Sequence, residues 1–397
     1  MLQVLQVSEC GELTYLWKNR FGLENLAHLQ QLEISSCPQL VSLEEDKEQG
    51  HPCNLQYLRI EHCDKLEKLP NVWQYLTCLE ELEIKDCLNL MSFPEMGFPP
   101  MLRRLSIQNC EALKSLPDGM MRRRNINDTN TMCLLQYLRI DNCPSLIYFP
   151  KGQLPISLKE LIIWKCENLK DLPEGMMHPN PITSNMCFLE YLELFRCPSL
   201  ICFPKGHLPT TLKHLHIQEC ERLESLPEGI MDHHSNNTVA GLQVLHIERC
   251  SSLTSFPRGK FPSTLEQLWI MYCPQLESIS EEMFHCSTSL ELLTIKWCPN
   301  IESLPKCLYN LRDLQIHGCE NLELLPFQLQ NLTSLTSLEI FDCKNLKMPL
   351  SQWGLGTLNS LKTLCIGGIF PEAASFSDDH RHRTTCFFFP ELSPFFS

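Results

Sequence analysis

One spacing pattern, L-x-x-L-x-I-x-x-C-x-x-L-x-x-(L/F)-P, returns along almost the whole chain and leaves few ways for it to fold. It reads Leu79, Leu82, Ile84, Cys87, Leu90, Phe93 and Pro94 in one place, and Leu102, Leu105, Ile107, Cys110, Leu113, Leu116 and Pro117 in the next. It returns as Leu242, Leu245, Ile247, Cys250, Leu253, Phe256 and Pro257. The cysteine slot is filled by Cys10, Cys37, Cys63, Cys87, Cys110, Cys143, Cys166, Cys197, Cys220, Cys250, Cys273, Cys298, Cys319 and Cys343, and a last unit, Leu361, Leu364 and Ile366, lacks it. More than half of the 23 cysteines thus answer to one structural position. A unit this short cannot bury its own apolar face, so successive units must stack.

The physics of each unit can be read directly. In L-x-I the Leu and Ile point to one face and the residue between them to the other, as a strand requires. Stacked units pair these strands into a parallel sheet. The slot residue then turns the chain out of the strand, and a buried turn needs partners for its backbone. Asparagine often meets that need with its amide; cysteine is small, suited to burial and carries a weak S–H donor. The Leu-Pro or Phe-Pro pair that follows fills the core, and its proline discourages a long helix or further strand. The pattern is that of the leucine-rich repeat. The expected fold is an α/β leucine-rich-repeat solenoid, a horseshoe with a parallel concave β-sheet and a mostly irregular convex side with short helical turns. About 15 repeats would occupy residues 1–369, leaving 370–397 as an irregular or disordered tail.

Equivalent cysteines in a stack have backbones close enough for a disulfide, but their side chains run parallel rather than toward one another. The ladder is therefore read as free, buried, structural thiols. Spacing along it alternates short and long, and the additions follow the Leu-Pro: Asp118, Gly119, Met120, Met121; Glu174, Gly175, Met176, Met177; and Glu228, Gly229, Ile230, Met231. Each runs into a polar stretch that belongs on a surface loop, including Arg122, Arg123 and Arg124 and the pair His233 and His234. The first unit starts without a polar cap, which a solenoid end needs for solubility, so the stretch reads as the continuation of something larger or as needing a partner to cover that end.

Lys plus Arg is 33 against 47 for Asp plus Glu, a formal charge of −14. That balance argues against a general nucleic-acid binder, which must displace phosphate counterions. No apolar run is long enough for a membrane span, and the first twenty residues lack a secretory signal, so a cytoplasmic location is expected. No phosphate-cradling loop, metal-ligand spacing or catalytic signature is present. The sequons at Asn127, Asn236 and Asn331 carry little meaning without export. The expectation is no enzyme, no cofactor and no metal.

The outward strand positions are the informative ones. Segments 133–155 and 187–209, and likewise 158–177 and 212–231, agree at most framework positions and differ at most outward ones. Large apolar residues on an exposed face, and aromatic residues above all, mark interfaces. Trp164, Tyr191 and Phe195, with Ile162, are placed outward in one cluster; Trp269, Met271, Tyr272 and Trp297 in another; His214, His216 and His246 lie between. These are the candidate protein-binding residues. Cross-strand pairing that merely stiffens the sheet is the competing explanation.

These units resemble the C-terminal leucine-rich repeats of plant intracellular immune receptors, the nucleotide-binding class with a coiled-coil N-terminus. Phe21, Gly22, Leu23, Glu24, Asn25 and Leu26, followed by Leu29-Gln-Gln-Leu-Glu-Ile-Ser-Ser-Cys-Pro38, are similar to that family too. The resemblance implies recognition of pathogen effectors or guarded host proteins, and restraint of a nucleotide-driven switch domain that this stretch does not contain. A free-standing scaffold or adaptor for protein assembly, such as a substrate adaptor of a ubiquitin ligase, stays open beside it.

Overall fold

A computed structural model describes residues 2–17, 26–44, 54–69, 76–94, 98–117, 134–151, 154–173, 176–177, 187–227, 230–231, 241–277, 279, 281–284, 289–305, 308–323, 325, 329–346, 352–368 and 385–387. The insertions carrying Arg122 to Arg124 and His233 with His234, the sequons at Asn127 and Asn236, and most of the 370–397 tail lie outside them. The chain divides into two compact units, Met1–Leu212 and Lys213–Ser397.

In the first unit the stacked strands are β1 (Val4–Ser8), β3 (Gln31–Ser35), β5 (Tyr57–Glu61), β6 (Glu81–Lys85), β7 (Arg104–Gln108), β8 (Tyr137–Asp141), β9 (Glu160–Trp164) and β10 (Tyr191–Phe195). Each pairs parallel with the next, residue for residue, so that Leu82 lies beside Leu105 and Ile84 beside Ile107. Two short strands, β2 (Tyr15–Trp17) and β4 (Ser42–Glu44), form a second parallel ladder on the flank. In the second unit the strands are β11 (His214–Gln218), β12 (Val244–Glu248), β13 (Gln267–Met271), β14 (Leu292–Lys296), β15 (Asp313–His317), β16 (Ser337–Phe341), β17 (Thr363–Gly367) and β18 (Thr385–Phe387). They too are parallel and in register. The described helical segments are single 3-10 turns such as Leu329–Asn331 and Leu355–Thr357.

The alternation that builds each strand also builds the core. In β6 Leu82 and Ile84 are buried while Glu81, Glu83 and Lys85 are half-exposed. The template leucines Leu79 and Leu90 and the slot cysteines from Cys37 to Cys343 have no exposed surface. In β1 the equivalent inward residues, Leu5 and Val7, are half-buried. Each slot cysteine opens a tight turn that its own carbonyl closes by accepting from the leucine (Ile301 after Cys298) three residues on, as in Leu40 N–H to Cys37 O at 3.1 Å and Leu90 N–H to Cys87 O at 3.1 Å. The thiol aims at the carbonyl two residues back, at 3.4 Å from Cys166 Sγ to Trp164 O, and in several repeats also at the preceding repeat, at 3.8 Å from Cys298 Sγ to Ile270 O. Burial pushes the Cys143 and Cys187 thiols up to about 12, and those of Cys110, Cys166 and Cys250 upward as well. The described cysteines are all free thiols.

The residue immediately before the slot has a backbone conformation that the pattern does not announce. In thirteen repeats it is a non-glycine residue with φ between 50° and 59°, and in two it is Gly318 (63°) or Gly368 (67°). This left-handed corner costs an L-residue roughly 1–2 kcal/mol. Main-chain bonding offsets the cost. The corner N–H donates to the last strand residue of the next repeat, as in Asp86 N–H to Gln108 O at 3.0 Å and Tyr272 N–H to Lys296 O at 2.7 Å.

Candidate protein-recognition faces

The outward columns of the first unit begin as an ion-pair lattice. Arg59 donates to Glu61 through Nε at 3.0 Å, Lys85 Nζ lies 3.0 Å from Glu61 and 3.6 Å from Asp86, and His62 Nε2 sits 3.5 Å from both Glu61 and Asp86. Burial raises the Glu61 carboxyl, but the hydrogen bonds from Lys85 and Arg59 more than reverse that and hold it below its ordinary value. Ligand atoms of Glu61, His62 and Asp86 all fall within 4.8 Å of one another, yet the two carboxylates already have protein cations beside them. Burial and the neighbouring Glu83 carboxylate push the Tyr57 phenol up to about 12. The corner column continues as a side-chain ladder: Asn109 Nδ2 donates to Asp86 at 2.6 Å, and Asn142 Nδ2 to Asn109 at 3.0 Å.

Over β8 to β10 the surface becomes aromatic. Trp164 and Phe195 are cross-strand partners, with ring centres 5.8 Å apart and planes at 69°. The Arg139 guanidinium lies 4.2 Å from the centre of the Trp164 ring and pairs with Asp141 at 2.8 Å. The indole N–H of Trp164 and the Nε–H of Arg139 are shut from solvent and meet no acceptor among the described residues. Tyr191 donates to Glu193 at 2.6 Å, and burial followed by that bond raises its phenol. Ile162 sits in the central column opposite Arg139 and Glu193.

In the second unit imidazoles open the face. His214 and His216 are two residues apart on β11, with ring centres 6.5 Å apart; His216 registers with His246 of β12 at 5.6 Å, and His246 with Trp269 of β13 at 5.9 Å. His246 touches Gln218 through Nδ1 at 3.3 Å and Glu248 through Nε2 at 3.5 Å. Met271 ends β13 opposite Lys296. Tyr272 and Trp297 come one residue after their strands, in left-handed corners rather than on the pleat. They stack at 6.3 Å with planes 13° apart, the Arg249 guanidinium lies 4.8 Å from the centre of the Tyr272 ring, and Arg249 pairs with Glu219 at 3.6 Å. Tyr272 is 38% and Trp297 44% exposed, values that set them apart from the strand aromatics. Gly318 closes the row: a Cβ there would stand 2.4 Å from the Trp297 ring.

The structure thus pairs Trp164 with Phe195 in one unit, leaving Tyr191 at the other end of the same strand opposite Glu160, and brings His214, His216, His246 and Trp269 together in the other. Tyr272 and Trp297 form a separate stack at the corner column. Sequence reasoning missed Arg139 and Arg249, whose cation–π contacts cross to the next repeat. A basic residue one repeat before each aromatic was the available signal.

No family model matches the chain. Over 381 residues, 95% of the chain, it is 31% identical to a protein of Arabidopsis thaliana designated a disease resistance protein, At3g14460. This chain is a leucine-rich-repeat region. It spans 22% of that relative's length. Among solved structures, a leucine-rich-repeat protein of Leptospira interrogans is 18% identical at a TM-score of 0.35, covering 92% of this chain and 95% of its own. YopM of Yersinia enterocolitica is 18% identical at 0.27, covering 92% and 82%. The assignment of this repeat region to its class stands on the registered strands and the slot cysteines. Among its described residues no helix is long and apolar enough to cross a membrane.

Proposed function

We propose that the outward strand faces bind protein, and that the region serves plant innate immunity by engaging a pathogen effector or guarded host protein and restraining the nucleotide-binding switch of a longer receptor in the cytoplasm. One observation carries the reading: aromatic and imidazole side chains stand on outward strand positions, where a solvated sheet face would carry polar residues. The region acts by binding and catalyses nothing.

Proximity labelling in plant cells, with the chain as bait, tests this. A companion bait carries Trp164→Ala with Phe195→Ala, or Trp269→Ala with Trp297→Ala. Proteins labelled by the parent and lost in either variant, with far-ultraviolet circular dichroism unchanged, support the reading. An identical labelled set refutes it, and recovery of ubiquitin-ligase subunits alone points to an adaptor instead.

A further inference from the structure

We propose that His214, His216 and His246 form a binding site for a divalent transition-metal ion of the zinc class. Two residues apart on β11, His214 and His216 project from the same face of the sheet, and His246 is the registered neighbour of His216 on β12. This is the minimal way for a sheet to present three imidazoles to one point: two from one strand, one from the next. An ion held by three imidazoles at about 2.0–2.1 Å per nitrogen sets ring centres on the order of 5 Å apart. The observed separations are 5.6 Å for His216 and His246 and 6.5 Å for His214 and His216. The three ring nitrogens stand farther apart than the 4.8 Å that gathers Glu61, His62 and Asp86, so the rings turn toward one another on binding.

The surroundings supply what such a site needs. Ligating histidines hold their second ring nitrogen on a carboxylate or carbonyl, and Glu248 lies 3.5 Å from His246 Nε2. That leaves Nδ1 as the ligating nitrogen of His246, with the Gln218 amide, now 3.3 Å away, turning aside. Imidazole ligands select zinc, copper and nickel over the hard cations. The slot thiols nearest in sequence, Cys220 and Cys250, have no exposed surface and do not compete. Three protein ligands leave a fourth position for water or for an acidic side chain of a partner. At Glu61, His62 and Asp86 the ligand atoms lie closer together, but Arg59 and Lys85 already neutralise the carboxylates there.

The test titrates the full, reduced chain with Zn2+ by calorimetry and with Co2+ by absorption. Expected are one ion per chain at micromolar affinity, ligand-field bands in the visible without a thiolate charge-transfer band, and quenching of Trp269 emission by Cu2+ from the adjoining His246. His216→Gln with His246→Gln should lose at least about tenfold in affinity, with circular dichroism unchanged; His214→Gln alone serves if that pair fails to fold. Absence of binding at about 0.1 mM Zn2+, undiminished affinity in the histidine variants, or a thiolate band from Co2+ overturns the site.

Discussion

Replacing Gly318 by alanine separates two reasons for a glycine. Its φ of 63° charges any L-residue about 1 kcal/mol relative to glycine. Its added Cβ would lie 2.4 Å from the ring of Trp297, so the indole must leave its place over the corner. Displacing it forfeits the stack on Tyr272, worth about 0.5–1.5 kcal/mol. The expected total is about 1.5–2.5 kcal/mol. Asparagine at Gly318 tolerates the left-handed region but keeps the clash, so Gly318→Asn should cost about 1–2 kcal/mol. In a Trp297→Ala background the clash is gone, and Gly318→Ala should fall to about 1 kcal/mol. The assay is a double-mutant cycle by urea unfolding, with near-ultraviolet circular dichroism reporting the Tyr272–Trp297 pair. Gly11→Ala is the control, because no atom lies within 4 Å of its added Cβ; it should stay within about 0.5 kcal/mol. A coupling energy of zero between positions 318 and 297 would refute the packing argument and leave conformation alone as the cause.

Thr294 is fully buried on the outward column and its hydroxyl has no hydrogen-bond partner among the described residues. Thr294→Val should therefore stabilise the chain by about 1 kcal/mol, and a lowered urea midpoint would contradict that. Arg139→Ala strips the partner from Asp141, which is only 9% exposed; a loss of about 2 kcal/mol is expected, checked against Asp141→Asn in the same cycle. Burial, with Lys296 adding repulsion, holds His317 at about 4. The unfolded imidazole titrates near about 6.5, so the unfolded chain takes up the proton first. The contribution is full above that pH and drains as pH falls toward 4. Solvent screening, and the Glu339 carboxylate 3.5 Å away, hold the loss to about 1–2 kcal/mol. Wild type and His317→Gln should show different pH dependence between about pH 7 and pH 4.5; parallel curves would dismiss the assignment. Brief alkylation of the native chain should modify exposed Cys202 before buried Cys143 or Cys166, read by peptide mass spectrometry. Equal labelling would show that the ladder opens.

Most of the framework was legible because burial is written in side-chain type. Leu82, Ile84, Cys87 and Leu90 recur by necessity, since each replica must fit the same slot against its neighbours. The aromatic pairing of Trp164 with Phe195 could be read as well, because register follows once the slot cysteines are aligned. The left-handed corner could not be read from any one unit. Its occupants include Glu9, His62, Lys165 and Trp297, which share no chemistry, and main-chain bonding to the next repeat holds them there. Only the column as a whole betrays it, through Asn109, Asn142, Gly318 and Gly368. Tyr272 and Trp297 were therefore legible as outward aromatics but not as a corner stack. Arg139 escaped notice because a lone arginine on an exposed strand is ordinary until its neighbour across the ladder is known.

The corner bond runs one way. Each turn borrows its acceptor from the repeat that follows, so losing a repeat leaves the turn behind it with an unanswered N–H. At the strand entry the direction reverses: Gln30 and Gln31 N–H both donate back to Gln3 O, and Glu80 N–H to Gln56 O. Nicks at opposite ends of either unit should therefore expose different amides, corner N–H groups when a following repeat is lost and strand-entry N–H groups when a preceding one is lost.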